Sequence, residues 1–223
     1  MRSFLFLPLL LLTLAACNGG STVEGGALGE EGDKEAVNEA LADEALMRQA
    51  FDVARATLYG TSAGDTAGLA AVAGRRAFVC VYGVEHPNQC GTGLGGDLAA
   101  SVKAAAEQLK DAHGDGISKA RAAGKDVRIK IDVVHRVSDR TFKRNIEKPK
   151  KREVGIYGYW VTHEESTAYI LPTEVLEQQV FSPKKRERGI PRKNVIKALK
   201  RRNSKMGELP EEFPYTRIYT HAW

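Results

Sequence analysis

Residues 127–137 read Val-Arg-Ile-Lys-Ile-Asp-Val-Val-His-Arg-Val, and this stretch decides the fold. Every second position holds an apolar residue or histidine: Val127, Ile129, Ile131, Val133 and His135. Polar residues occupy positions in between: Arg128, Lys130, Asp132 and Arg136. Alternation with a period of two predicts a half-buried β-strand with one side against a core.

Upstream of this strand, the sequence predicts a β-hairpin. Residues 77–84 are rich in β-branched and aromatic side chains, residues 85–88 form a turn, and residues 89–93 run back. A turn centred near His86 and Pro87 puts Cys80 and Cys90 on one face as diagonal neighbours. A disulfide is then sterically feasible. Two unpaired, partly buried thiols remain the alternative, which the residue pattern slightly favours.

Two helices are expected around the hairpin. Residues 35–60 carry apolar side chains at helical spacing and end at Gly60, which predicts an N-terminal helix. Asp97 is a suitable N-cap for a second helix. Its apolar stripe consists of Leu98, Val102, Ala105, Leu109 and Ala112.

Downstream, further short elements follow. Residues 155–162 and 167–171 predict two strands, residues 173–179 a short helix, Pro191 the start of another helix, and residues 215–223 a last strand. Strands and helices are mixed, with hairpin-like neighbours. We therefore expect an α/β (α+β) domain with a single, largely antiparallel sheet and flanking helices.

The first sixteen residues have the pattern of an export signal. Arg2 precedes an apolar run that ends at Ala16, and this run is shorter than the about 20 residues of a spanning helix. Residues 14–17, Leu-Ala-Ala-Cys, resemble the lipobox of bacterial lipoproteins, in which the cysteine becomes the N-terminus and carries lipid. A conventional cleavage site with an accidental cysteine is the alternative.

The lipobox resemblance implies a location. Residues 1–16 would be removed, and acyl chains on Cys17 would anchor the protein in a membrane of the cell envelope. Asn18 follows, where an aspartate is usual in proteins retained at the inner membrane, so the outer membrane is favoured. Residues 17–34 are acidic and glycine-rich and predict a flexible tether. The N-terminal helix at residues 35–60 follows, and residues 61–223 form the α/β domain.

Charge is distributed unevenly along the chain. Residues 18–45 hold eight acidic residues and one lysine, whereas residues 140–203 hold seventeen basic and seven acidic ones. Two clusters stand out in the basic half, with Lys150, Lys151 and Arg152 in the first and Lys184, Lys185 and Arg186 in the second. Outside the cytoplasm such clusters favour anionic lipids or polymers of the envelope over nucleic acid, which we do not expect as a partner. Solvated loops without a partner are equally compatible with the pattern.

Residues 91–96, Gly-Thr-Gly-Leu-Gly-Gly, match the GxGxxG pattern between a predicted strand and a helix. Such a turn binds the pyrophosphate of dinucleotides in other folds. The break at residues 86–88 and the predicted export argue against a dinucleotide. A modest anion site involving Gly91, Gly93 and Gly96 at the helix N-terminus is the better interpretation.

Several of these segments together resemble the AMMECR domain family. The similar segments are residues 77–79, residues 89–91, residues 155–161, residues 168–172 and residues 215–219. The resemblance spans residues 46–223 and implies an α/β fold without a settled biochemical activity. The family's Leu-Arg-Gly-Cys-Ile-Gly is Pro-Asn-Gln-Cys-Gly-Thr here, at residues 87–92, so the basic residue before the cysteine is missing.

The functional expectation is a lipid-anchored binding or interaction module. The alternative is an envelope hydrolase or transferase that uses Cys90 as its nucleophile. The five histidines are scattered without the spacing of metal ligands, so we expect no metal site and no cofactor.

Overall fold

The computed structural model describes residues 39–84, 89–149, 153–184 and 188–223. Its helices are α1 (Glu44–Tyr59), α2 (Ala67–Ala70), α3 (Leu98–Ala122), α4 (Glu174–Glu177) and α5 (Arg192–Arg202). Its strands are β1 (Ala77–Tyr82), β2 (Gln89–Gly93), β3 (Arg128–Phe142), β4 (Ile146–Glu147), β5 (Gly158–His163), β6 (Ser166–Ile170), β7 (Ile190–Pro191) and β8 (Phe213–Ala222).

Six of these strands form one curled sheet in the order β2-β1-β3-β8-β5-β6, and each pairing is antiparallel. The strands β4 and β7 form a separate antiparallel pair. Helices flank the sheet. The expected α/β class with a largely antiparallel sheet is confirmed.

The two faces of the sheet carry different cores. Helices α1 and α3 cover one end of the outer face, where they bury Val79, Ile131 and Val133. Helix α5 packs at the other end of the same face with Tyr159 and Val161. The opposite face, called the inner face below, buries Phe78, Cys80, Val134, Tyr169, Leu171 and Ile218.

Helix α1 is shorter than the sequence predicts. The Asp43 side chain accepts hydrogen bonds from the amides of Ala45 and Leu46, so it caps a helix that starts at Glu44. Residues 39–42 form a separate helical turn before it, and residues 35–38 lie outside the described part. Gly60 ends the helix with a φ of 70°, as the sequence predicts.

Strand β3 is longer than the predicted strand and changes its alternation midway. The register with β8 shifts between Val134 and Arg136, so His135 is an extra residue at a bulge. Beyond the bulge, Val137 lies on the same face as Val134. His135 lies 6.5 Å from the Tyr219 ring of the outer-face cluster and so stays on the face of Val133, as the sequence predicts. Arg136 lies over the same ring, so the prediction that Arg136 shares the face of Asp132 is wrong.

Candidate functional site

Cys80 and Cys90 form a disulfide between β1 and β2. They are direct register partners, so the predicted diagonal arrangement is wrong. Cys80 is fully buried on the inner face, and Cys90 packs against the same cluster. The alternative of two unpaired thiols, which the sequence slightly favours, is contradicted by this bond.

The disulfide bears on the enzyme alternative. Nucleophilic attack by cysteine requires the thiolate, and the sulfur of Cys90 is bonded to Cys80. Cys90 therefore offers no nucleophile in this state, and the hydrolase or transferase interpretation loses its reacting group.

The glycines of the GxGxxG pattern serve helix packing. Gly91 and Gly93 lie within β2 and not in a loop. A Cβ atom on Gly91 would lie 2.0 Å from the Ala105 carbonyl oxygen, and one on Gly93 would lie 2.3 Å from that of Ser101. Both glycines therefore let β2 approach the backbone of α3, and neither forms a phosphate cradle.

The N-terminus of α3 is occupied by its own residues. The Asp97 carboxylate accepts from the amide of Ala100 at 2.7 Å, and the Ser101 hydroxyl accepts from the amide of Gly95 at 2.9 Å. A carboxylate at this position repels a second anion. The expected anion site at Gly91, Gly93 and Gly96 is therefore not formed.

The inner face contains a buried ion pair. The ammonium of Lys130 lies 2.9 Å from Oδ2 of Asp132, which is fully buried. Thr220 donates its hydroxyl to the other carboxylate oxygen at 2.8 Å, and the Lys130 ammonium also donates to Thr173 at 2.7 Å. Strands β3 and β8 and the start of α4 thus meet at one charged centre.

A second ion pair lies between α4 and α5. Glu174 is buried, accepts from the amide of Leu171 at 2.8 Å and forms a salt bridge with Arg202. The guanidinium of Arg202 also stacks over the ring of Tyr169, 4.7 Å from its centre. This pair holds the edge strand β6 against the two helices.

Two tyrosines on this face keep their protons to unusually high pH. Burial, followed by the charges of Glu177, Glu174 and Asp132, raises the pKa of Tyr82 to about 12. Burial also raises the pKa of Tyr169 to about 12, against the opposing effect of Arg202. Tyr169 donates its hydroxyl to the carbonyl of Cys90 at 3.3 Å, which ties β6 to β2.

The Glu147 carboxylate lies at the centre of a polar cluster on the outer face of the sheet. Its carboxylate accepts from the hydroxyls of Tyr157 at 3.1 Å, Tyr159 at 2.6 Å and Tyr215 at 2.6 Å, and it pairs with Arg217. Burial and the Glu147 charge raise the pKa of all three phenols. The cluster fixes β4 onto β5 and β8.

This fixed position of β4 brings the two basic segments together. Ile146 pairs with Pro191 and Glu147 with Ile190, and the amide of Arg192 donates to the Asn145 carbonyl at 2.8 Å. Exposed cations therefore flank both sides of one strand pair. We call this the basic surface, and its described members are Lys143, Arg144, Lys148, Lys184, Arg188 and Lys193.

Other expected site residues lie outside the described part of the chain. They are Cys17, Lys150, Lys151, Arg152, Lys185 and Arg186. Among the residues that the structure does describe, no group of three His, Cys, Asp or Glu side chains is arranged to hold a metal ion. No helix in the same part is long and apolar enough to cross a bilayer.

Comparison with known proteins adds little. No protein family matches the chain, and no curated protein matches it. The fold is similar to that in the crystal structure of the uncharacterised protein PH0010 from Pyrococcus horikoshii, with a TM-score of 0.46 and 13% sequence identity. The match covers 79% of this chain and 87% of that chain. PH0010 is itself uncharacterised, so the comparison assigns no activity.

Proposed function

We propose that this chain is an exported protein of the cell envelope, anchored by lipid on Cys17, whose AMMECR-like domain binds anionic lipids or polymers through the basic surface. The observation that carries the proposal is the pairing of β4 with β7. This pairing joins two basic segments that lie about forty residues apart in the sequence into one exposed patch.

The disulfide supports the compartment. Disulfides form and persist in oxidising environments such as the periplasm and are rare in the bacterial cytosol. The bond between Cys80 and Cys90 is covered by the inner-face core, which suits a permanent structural role. With the lipobox resemblance at Cys17, two independent features support export. The outer membrane is the proposed location, because Asn18 follows the cysteine.

The charge of the basic surface has a suitable magnitude for weak, reversible binding. Each Lys or Arg close to an anionic membrane contributes about 1 kcal/mol at physiological salt. The described members of the basic surface are exposed. They therefore interact with an anionic membrane or polymer surface without first being desolvated. The lipid anchor holds the basic surface close to the membrane and so raises the effective concentration of its anionic partner. Weak intrinsic affinity is then sufficient for binding.

Vesicle sedimentation tests the basic surface separately from the anchor. The full chain carrying Cys17→Ser is mixed with vesicles of phosphatidylcholine alone or with phosphatidylglycerol added. We expect the protein to sediment only with the anionic vesicles. We expect sedimentation to be lost at about 0.5 M salt, where the Debye length is only a few ångströms and the electrostatic attraction is screened. Lys148→Glu with Arg188→Glu abolishes it.

The matched control reverses two exposed lysines on α3, Lys103→Glu with Lys110→Glu, and leaves sedimentation intact. Equal loss in both double variants would reduce the effect to net charge and contradict a defined surface. The anchor has its own test, since fatty-acid labelling marks the wild-type chain and not Cys17→Ser. An unlabelled chain in the cytosol would overturn export.

A further inference from the structure

Arg76 is a half-buried arginine on the inner face of the sheet. It precedes β1, and its guanidinium carbon lies 4.4 Å from the ring centre of Trp160 on β5. Among the residues that the structure describes, no carboxylate lies within ion-pair distance of Arg76, and its side chain donates no hydrogen bond. Burial lowers the pKa of Arg76, and no neighbouring charge offsets this effect.

The other half-buried cations on this face are neutralised. Lys130 is paired with Asp132, and Arg202 is paired with Glu174. A desolvated charge without a partner costs free energy, so proteins rarely keep one without a use. Among the described residues of the inner face, Arg76 is therefore the half-buried cation without an ion pair.

The contact with Trp160 leaves the hydrogen-bonding edge of Arg76 available. Stacking uses the flat face of the guanidinium, whereas its five N–H groups point outward in the plane. Trp160 itself is partly exposed and stacks on Tyr169, with 5.8 Å between ring centres and an angle of 9°. The cation is thus held in place at the end of an aromatic stack.

A second unused polar group lies nearby. Thr92 is the register partner of Phe78, and Arg76 is two residues before Phe78, on the same face of the sheet. Positions related in this way are diagonal neighbours, within reach of a long side chain. The Thr92 hydroxyl oxygen is buried and has no hydrogen-bond partner in the part of the chain that the structure describes.

We propose that Arg76, Thr92 and Trp160 form a binding site for a carboxylate group, carried by a small molecule or by the C-terminus of a peptide. A guanidinium edge matches a carboxylate through two parallel N–H···O bonds. The Thr92 hydroxyl donates to the same group, and the exposed edge of the Trp160 ring contacts its apolar part. One unmatched cation is neutralised by one carboxylate, whereas a phosphate near neutral pH brings more than one negative charge.

Tryptophan fluorescence tests this site directly in the full chain. Trp160 and Trp223 are the two tryptophans. In a Trp223→Phe background the emission reports on Trp160 alone. Sodium acetate, N-acetylglycylglycine and its C-terminal amide are titrated at constant ionic strength. We expect a saturable change with both carboxylates and none with the amide. Tighter binding of the peptide than of acetate identifies a chain end as the source.

Variants assign the effect to the named residues. Arg76→Gln weakens carboxylate binding by about tenfold or more, Arg76→Lys weakens it less, and Thr92→Val weakens it about threefold to tenfold. Arg121 stacks on Tyr59 at 3.7 Å but is exposed on α3, so Arg121→Gln is the matched control and leaves binding unchanged. Thermal unfolding verifies that each variant is folded. If Arg76→Gln is unfolded, Arg76→Lys replaces it in the binding measurement.

Three outcomes overturn the proposal. They are the absence of a saturable change with either carboxylate, equal weakening by Arg121→Gln, and an Arg76-dependent response to inorganic phosphate that is as strong as the response to acetate. The site is independent of the basic surface. Lys148→Glu with Arg188→Glu therefore leaves the titration unchanged, even where it abolishes vesicle binding.

Discussion

The rings of Phe78 and Tyr169 lie 4.6 Å apart at their centres, although three strands separate β1 from β6 in the sheet. Contact between such distant strands requires the sheet to curl towards its inner face. The hydrogen bond from Tyr169 to the Cys90 carbonyl and the stacking of Trp160 on Tyr169 reinforce the same contact. The same curl places Trp160 over Arg76 and the Tyr169 hydroxyl beside the Cys90 carbonyl.

Truncation of Phe78 tests how much the curl depends on this contact. Phe78 is fully buried, so Phe78→Ala removes its transfer free energy and leaves a cavity. We expect a loss of about 3–5 kcal/mol in the free energy of unfolding, measured by urea denaturation. Leu176→Ala is the control, because Leu176 is 55% exposed and its loss changes stability by no more than about 0.5 kcal/mol. Equal effects would refute the inner-face core.

The disulfide makes a covalent prediction. Cys80 and Cys90 are ten residues apart, and closing a loop of this size in the unfolded chain stabilises the fold by about 3 kcal/mol. Cys80→Ala with Cys90→Ala therefore lowers the unfolding free energy by about that amount. Mass spectrometry after alkylation of the unreduced, denatured chain finds both cysteines unmodified. An alkylated Cys90 would restore the nucleophile that the enzyme alternative needs.

Alkaline pH weakens the inner face. The folded state keeps the phenolic protons of Tyr82 and Tyr169 to about pH 12, whereas the unfolded chain releases them near 10. The contribution of these protons is complete below pH 10 and is lost as the pH rises from 10 through 12. Urea midpoints at pH 9, 10 and 11 measure the decline. Tyr169→Phe flattens it, and an unchanged slope in this variant would exclude Tyr169 as a cause.

Two ion pairs on β3 provide a matched comparison. Lys130→Met leaves the buried Asp132 carboxylate without its cation and costs about 3–5 kcal/mol. Arg128 pairs with Asp126 at 2.7 Å, but both side chains are more than 70% exposed, so Arg128→Met costs less than about 1 kcal/mol. Chemical denaturation measures both. Similar costs would show that Asp132 is hydrated in solution.

Local patterns predict the regular elements of this fold, whereas its long-range pairings depend on geometry that the sequence does not display. The alternation at residues 127–137 predicts β3, but a bulge at His135 carries the strand on to Phe142. The apolar stripe predicts α3 only to Ala112. Burial of Ile117 and Ala120 against the core extends the helix past two glycines that disfavour it.

The site follows the same division. The sequence identifies Cys80 and Cys90 as a candidate pair, but their direct opposition depends on the register of the hairpin. Asp132 is predicted on the polar side of β3 and is buried, because the curl covers that side as well. The strands β4 and β7 have two residues each and show no pattern, so the joining of the basic segments is visible only in three dimensions.

The glycines of residues 91–96 provide a test of the packing interpretation. Gly93→Ala puts a Cβ atom 2.3 Å from the Ser101 carbonyl oxygen, so β2 and α3 must separate, and we expect a loss of about 1–3 kcal/mol or more. A Cβ atom on Gly96 meets nothing within 4 Å, and Gly96→Ala is neutral or slightly stabilising because it restricts the unfolded chain. Thermal and urea unfolding of the two single variants measure the difference.

A turn that binds pyrophosphate needs its glycines for close approach of the ligand, so there Gly96→Ala would impair binding while leaving stability unchanged. Helix packing instead predicts that the damage falls on stability and only at the glycines inside β2, and comparable destabilisation at Gly96 would contradict it.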